Sequence, residues 1–282
     1  MQYDDTGKIS FDDIYTQPDP RAYFGTLRRL GYCIPQLAKP YFLRLLQHIR
    51  PQQQSDTKIL DIGCSYGVNA ALLKCDLTMD ELYLRYCGAP ARAESRSALL
   101  AGDREVVRTR NRLPFTKFVG LDNSLPALSY AMLAGFLDDA VHGDLEERAS
   151  TGRQREQLAG TDLIISTGCV GYVTDRTIAR VLDANDGRHP WMAHFVLRMF
   201  PFDPMMESLA GFGYQTVGFE RVFKQRRFAS PQEQALVLDT LAEVGVDPQG
   251  LEADGWLYAQ LYVSWPRSAS GPVIADLAAG SQ

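Results

Sequence analysis

The chain predicts an α/β fold, a mostly parallel sheet with helices on both faces, and three observations support that class. Short apolar segments of strand length alternate with helical segments from residue 59 onward. The first strand, 59–62, runs into a turn carrying Gly63 and Gly67 and then into a helix beginning near Ala70. Acids close the first two strands, Asp61 and Asp122, where an open α/β sheet places its ligand crevice.

The elements follow in order. Residues 1–20 are polar and contain Pro18 and Pro20, which suits a loosely packed arm. Residues 21–30 and 41–49 read as helices. In the second, Phe42, Leu45, Leu46 and Ile49 recur at helical spacing, with Gly31 and Pro35 punctuating the join. Beyond the glycine turn, 118–121, 140–142 and 163–166 are strands, with helices at 125–135 and 175–184 between or after them. Residues 194–200 form a fifth strand, and strands at 214–223 and 256–265 flank a helix at 231–244. Residues 266–282, rich in Ser, Gly, Ala and Pro, form a flexible tail.

One spacing is unusual. A ribose-binding acid follows the glycine turn of a βαβ unit by about 20 residues, yet here residues 77–112 intervene before the second strand. They read as inserted helices at 79–86 and 98–112. Arg104, Arg108 and Arg112 share a helix face. A solvated face balanced by Glu94, Asp103 and Glu105 accounts for them better than phosphate binding, because no aromatics are interleaved. The expected organisation is a helical lid at 1–54, a ligand-binding domain at 55–265 with an insertion at 76–113, and the tail.

Composition narrows the function classes. At 282 residues and 45% hydrophobic content, the chain can bury one large core. A net charge of −5 supplies no field to recruit nucleic acid. No apolar run reaches spanning length and no leader pattern opens the chain, so a cytoplasmic protein without membrane partners is expected. The five cysteines lack a Cys-x-x-Cys pair and the four histidines lack metal-ligand spacing, so no metal site is expected.

The glycine turn is selective. A phosphate loop needs Gly-Lys-Ser/Thr, and the nicotinamide fingerprint needs Gly-x-Gly-x-x-Gly; neither fits Gly63-Cys64-Ser65-Tyr66-Gly67. An ordinary strand-to-helix turn would use the same residues. The remaining pattern, Asp61-x-Gly63-x-x-x-Gly67, resembles motif I of the class I methyltransferases, Rossmann-like enzymes that bind S-adenosylmethionine (SAM), with Ser65 in place of the middle glycine. Three further segments resemble that family in the same order: Leu121-Asp122-Asn123-Ser124 after the second strand, His142-Gly143-Asp144-Leu145 after the third, and the fourth strand with Ser166-Thr167-Gly168.

The resemblance spans roughly residues 55–265 and implies a seven-stranded, mostly parallel methyltransferase sheet ending in an antiparallel pair. It also implies a cofactor site made of Asp61, Gly63, Cys64, Ser65, Gly67, Asn69, Asp122, Asn123, Asp144, Leu145, Ser166, Thr167 and Gly168. In it Asp122 accepts from the ribose hydroxyls and Asp144 from the adenine amino group. An N-cap for the helix that follows is the lesser alternative for Asp122, and the two roles are compatible. The run 64–83 looks like a bacterial subfamily known only by its fold.

Absences are also informative. No Asn-Pro-Pro-Tyr follows the fourth strand, which disfavours methylation of adenine in DNA or of protein glutamine. Segment 166–172 has no histidine or acid to act as a base. Cys169 suits a small buried thiol better than a nucleophile. Tyr172 suits either a cation–π partner for a sulfonium or a packing aromatic. Tyr15, Tyr23, Phe24 and Tyr32 form a lid over the pocket or pack on the sheet, and residues 200–203 with Arg221 suit a pocket wall. Tyr172, Tyr23 and Tyr15 are the catalytic candidates.

The expected activity is methyl transfer from SAM to a small-molecule substrate in bacterial specialised metabolism. The alternative uses SAM alone: its amino group closes onto its own Cγ, giving azetidine-2-carboxylate and methylthioadenosine. A homodimer is left open.

Overall fold

The computed structural model describes residues 12–49 and 56–271. Four short apolar segments with acid- or glycine-rich ends form the parallel centre of the sheet: β1 (Thr57–Ile62), β2 (Thr116–Asp122), β3 (Asp139–His142) and β4 (Leu163–Thr167). With β5 (Trp191–Leu197), β6 (Tyr214–Arg227) and β7 (Trp256–Pro266), they build seven strands in the order β3-β2-β1-β4-β5-β7-β6. Only β7 runs antiparallel to its neighbours, β5 and β6. This is the seven-stranded, mostly parallel sheet with an antiparallel pair at one end that the resemblance implied. From β1 the chain winds outward to β3 and returns to β4 on the other side, so the crevice between the β1 and β4 ends is the switch point where such sheets take ligands.

Alternation along the strands divides the core between two faces. Ile59, Phe118, Ile165 and Phe195 pack on one face, against Tyr41, Phe42 and Leu45. Leu60, Val119, Ile164 and Met192 pack on the other, against Ile178, Val181 and Leu209. The first face carries α1 (Asp12–Tyr15), α2 (Arg21–Arg29), α3 (Ile34–Ile49), α4 (Val68–Lys74), three insertion helices and α8 (Leu125–Ala134). The insertion helices are α5 (Met79–Cys87), α6 (Ala89–Ala93) and α7 (Arg96–Arg110). On the second face lie α9 (Gly152–Leu158), α10 (Asp175–Ala184) and α11 (Asp203–Gly211). The helix α12 (Pro231–Glu243) joins β6 to β7.

Several expectations shift. The helix expected over 41–49 starts at Ile34, because Pro35 sits in its first turn, where no N–H is needed, and Pro40 is carried inside it. The fifth strand spans Trp191–Leu197 rather than 194–200. Its apolar run continues without a break, so the pattern cannot mark where pairing with β4 stops, and Met199 and Phe200 pack from the following turn. The arginine face also changes. The helix ends at Arg110, so Arg112 falls beyond it, and Asp103 is buried rather than balancing a solvated row. Asp103 accepts from Arg85, from the Tyr86 hydroxyl at 3.0 Å and from the Tyr130 hydroxyl at 2.6 Å, fastening the insertion to α8.

The arm is held, at least over residues 13–20; residues 1–11 lie outside those described, as does most of the tail. The Tyr66 hydroxyl lies 2.8 Å from the Gln17 carbonyl oxygen and 3.1 Å from that of Ile14. Ser124 Oγ donates to the Tyr15 carbonyl at 2.5 Å, and Arg96 Nε to that of Pro18 at 2.7 Å. The arm therefore lies as a strap between the glycine turn, α8 and the insertion.

Candidate functional site

The glycine turn and its neighbours gather buried polar groups at the switch point. Asp61, at the penultimate position of β1, is fully buried, and its Oδ1 accepts from Asn69 Nδ2 at 3.0 Å. Burial pushes its carboxyl up to about 7; the Asn69 hydrogen bond opposes this and the charge of Asp122 adds to it. Asn69 Nδ2 also reaches Thr167 Oγ1 at 3.2 Å, so one amide ties the β1 and β4 ends together. Asp61 Oδ2, Asn69 Oδ1 and Ser65 Oγ are buried without a hydrogen-bond partner among the described residues. Such groups are costly to leave unsatisfied.

Backbone geometry explains the glycines. Gly63 (φ +68°) and Gly67 (φ +75°) are left-handed, and a Cβ on Gly63 would stand 2.7 Å from that of Cys169. Ser65 adopts φ +50°, so the serine takes the conformation that a glycine would hold more easily. Its N–H donates to Asp122 Oδ2 at 2.8 Å. Cys64 is buried against Gly120, so only its backbone borders the crevice.

Asp122 closes β2 half-buried. Its Oδ1 accepts from Ser124 N–H at 2.9 Å. Burial raises its carboxyl, and the N–H donors of Ser124, Ser65 and Asn123 pull it back. The N-cap of α8 is Ser124, whose Oγ accepts from Ala127 N–H; Asp122 is therefore not that cap. Asn123 beside it is exposed, and its carbonyl lies 3.1 Å from His142 Nε2. Asp144 is exposed after β3 and accepts from Glu146 N–H at 2.8 Å, while Leu145 is buried in the second-face core.

After β4 the groups diverge. Thr167 faces Asn69, but Ser166 turns to the second face, its Oγ 2.8 Å from His194 Nδ1. Burial drives the His194 imidazole down to about 4, which keeps it neutral. The Cys169 thiol donates to the Ile62 carbonyl at 3.2 Å, and burial pushes it up to about 12, so it is no ready nucleophile. Gly168 (φ +79°) lies under the Gln225 side chain, with which a Cβ would collide.

The tyrosines do not all converge. Tyr23 meets Tyr15 at 5.5 Å between ring centroids, Tyr66 at 5.6 Å and Tyr32 at 6.5 Å. The Tyr32 hydroxyl lies near those of Tyr23 and Thr167, which carries the cluster to the β4 end. Burial raises both the Tyr23 and Tyr32 hydroxyls and so holds them protonated. Tyr172, by contrast, is 42% exposed and packs edge-on against Phe200 at 5.9 Å. Residues 200–203 line a separate cavity of about 240 Å³ with Gln260 and Tyr262. Two residues escaped sequence reasoning: Tyr66, hidden inside the motif it fastens, and Gln225, for which no local signal exists. Among the described residues, no group of three or more His, Cys, Asp or Glu could hold a metal, and no helix is long and apolar enough to cross a membrane.

No family model and no curated protein matches the chain. Among solved structures it is similar to the plantazolicin methyltransferase BpumL in complex with S-adenosylhomocysteine (13% identity, 91% of this chain and 93% of that one, TM-score 0.44). It is also similar to a TehB-like SAM-dependent methyltransferase from Corynebacterium glutamicum (17% identity, 78% and 84%, TM-score 0.36). A third is the cyclase SpnF (14% identity, 79% and 80%, TM-score 0.38). Likeness at this level says nothing of this chain's ligand or reaction.

Proposed function

We propose that the protein binds SAM across the ends of β1–β4 and transfers its methyl group to a small molecule. One observation carries this reading: Asp61 Oδ2, Asn69 Oδ1 and Ser65 Oγ, three buried and unpartnered acceptors, surround the glycine turn beside the second acid, Asp122. Acceptors without donors at a switch point suit a cationic, hydroxyl-bearing ligand. The ammonium of SAM fits Asp61, and its ribose hydroxyls fit the remaining lone pairs of Asp122.

When bound, SAM supplies an electrophilic carbon on a positively charged sulfur. Asp61 and Asn69 anchor the amino acid end. Asp122 sets the ribose, with Asp144 and Leu145 beyond it for the base. The strap and the Tyr15–Tyr23–Tyr32–Tyr66 cluster exclude water, so the chain's contribution is alignment and dehydration. Replacing Asp122 by Ala should weaken S-adenosylhomocysteine binding by about 1–3 kcal/mol, read by titration calorimetry. Unchanged affinity would remove the ribose assignment.

Cyclisation of SAM stands as the second reading, favoured by the enclosure of the cluster: Tyr23 and Tyr66 are both buried under the strap. Incubating the protein with SAM alone separates the two. Methyl transfer predicts no turnover until an acceptor is added, then S-adenosylhomocysteine. Methylthioadenosine with azetidine-2-carboxylate, from SAM alone, would establish cyclisation instead.

A further inference from the structure

Gln225 lies far from the glycine turn in sequence, in the strand at the sheet edge, yet its side chain reaches the end of β4. Its placement begins with an irregularity in pairing. Lys224 pairs with Tyr258 and Arg226 with Leu257, so Gln225 is an extra residue with no partner on β7. A bulge of this kind bends the strand and re-aims a side chain. The bulged backbone is held: Gln225 C=O accepts from Cys33 N–H at 2.9 Å, and Arg227 N–H donates to the Leu30 carbonyl at 2.7 Å. These bonds seat the bulge against the corner that carries Tyr32.

The Gln225 side chain is 5% exposed and lies over Gly168, the residue directly after β4. Its Oε1 is buried without a hydrogen-bond partner among the described residues. A buried amide oxygen left empty costs free energy unless a ligand supplies the donor. At the β4 end stands Thr167, tied through Asn69 to Asp61, the acid that the SAM reading assigns to the cofactor's ammonium. His194 is directed to the second face, where it meets Ser166.

Resting on the SAM reading above, we propose that Gln225 positions the nucleophile, and that this nucleophile is a neutral amine whose N–H donates to Oε1. The choice of an amine follows from the proton inventory. The nitrogen lone pair forms the new N–C bond, the C–S pair leaves on sulfur, and the surplus proton departs from the product ammonium to water. An alcohol would need its proton removed as the bond forms, and an amide oxygen is too weak a base to take it. An amide oxygen orients the N–H without taking the proton.

Sinefungin, in which an amine-bearing carbon replaces the methylated sulfur of SAM, places an amine near the reacting position and tests the assignment without the natural acceptor. By calorimetry, the wild-type protein should bind sinefungin about tenfold more tightly than S-adenosylhomocysteine. Gln225→Leu should bind S-adenosylhomocysteine as wild type does, which also reports an intact fold, but lose the preference. Gln225→Glu should enlarge it. Absence of the preference in the wild type, or its survival in Gln225→Leu, overturns the proposal. Failure of both ligands to bind the wild type overturns the cofactor reading itself, a distinguishable result.

Discussion

Asp61→Asn is expected to weaken SAM and S-adenosylhomocysteine binding about tenfold to a hundredfold at pH 8 and to abolish a pH dependence that the wild type shows. A hydrogen bond to a charged group contributes about 1.5–3 kcal/mol, which gives that range. The pH dependence follows from burial. Loss of hydration pushes the Asp61 carboxyl up to about 7, with Asn69 opposing and Asp122 reinforcing the rise. Below that pH the side chain is neutral and holds an ammonium poorly; above it the carboxylate holds it well. Wild-type affinity should therefore climb from pH 6 to pH 8, by at most about tenfold per unit, and then flatten as proton release on binding ceases. Calorimetry in buffers of different ionisation enthalpy reads both the affinity and the released proton. A flat wild-type profile would rule out Asp61 as the ammonium partner.

The same shift has the opposite sign for folding. A carboxyl raised in the folded state gives stability that is full below its unfolded value near 3.8 and is lost as pH rises towards about 7. Asp61→Asn should accordingly flatten the dependence of the melting temperature on pH across that window while it damages binding. Stability gained where binding is lost is the pattern of a residue kept for its ligand.

What could be read from the sequence was local. Strand alternation, the glycine turn and the strand-end acids all lie within a few residues of one another, and the parallel centre of the sheet with Asp61, Asn69 and Asp122 emerged from them. Features that depend on distant partners did not. The Gln225 bulge exists only because β6 and β7 slip by one residue against each other. Asp103 reads as a surface acid until Arg85, Tyr86 and Tyr130 are brought to it from three other turns of the chain. Tyr172 packs edge-on against Phe200 from the turn after β5, a contact that its sequence neighbours do not announce. The strap over residues 13–20 looked loose because its bonds are backbone carbonyls, which no side-chain pattern reveals.

Glu233→Ala should be among the most destabilising single changes in the molecule and should reach the site through the fold. Glu233 lies in the first turn of α12 with no solvent exposure, and its carboxylate takes both arms of the Arg226 guanidinium, at 2.6 and 3.0 Å. It also accepts from Ala229 N–H at 2.7 Å, while Ser230 Oγ caps its own N–H at 3.0 Å. Removing the acid leaves a guanidinium in a side chain that is 4% exposed, with its main counter-charge gone. Breaking such a pair costs about 3–5 kcal/mol, roughly 5–15 °C of melting temperature for a domain of this size. Replacing both partners, as Arg226→Met with Glu233→Leu, should restore much of that loss, since the pair's attraction is largely offset by its dehydration. The two variants separate stability from positioning. Arg226 adjoins Gln225 in the bulge, so the double replacement, although stable, should retain S-adenosylhomocysteine binding and lose part of the sinefungin preference. Full retention of that preference would show that the Cys33 and Leu30 backbone bonds hold the bulge without the ion pair.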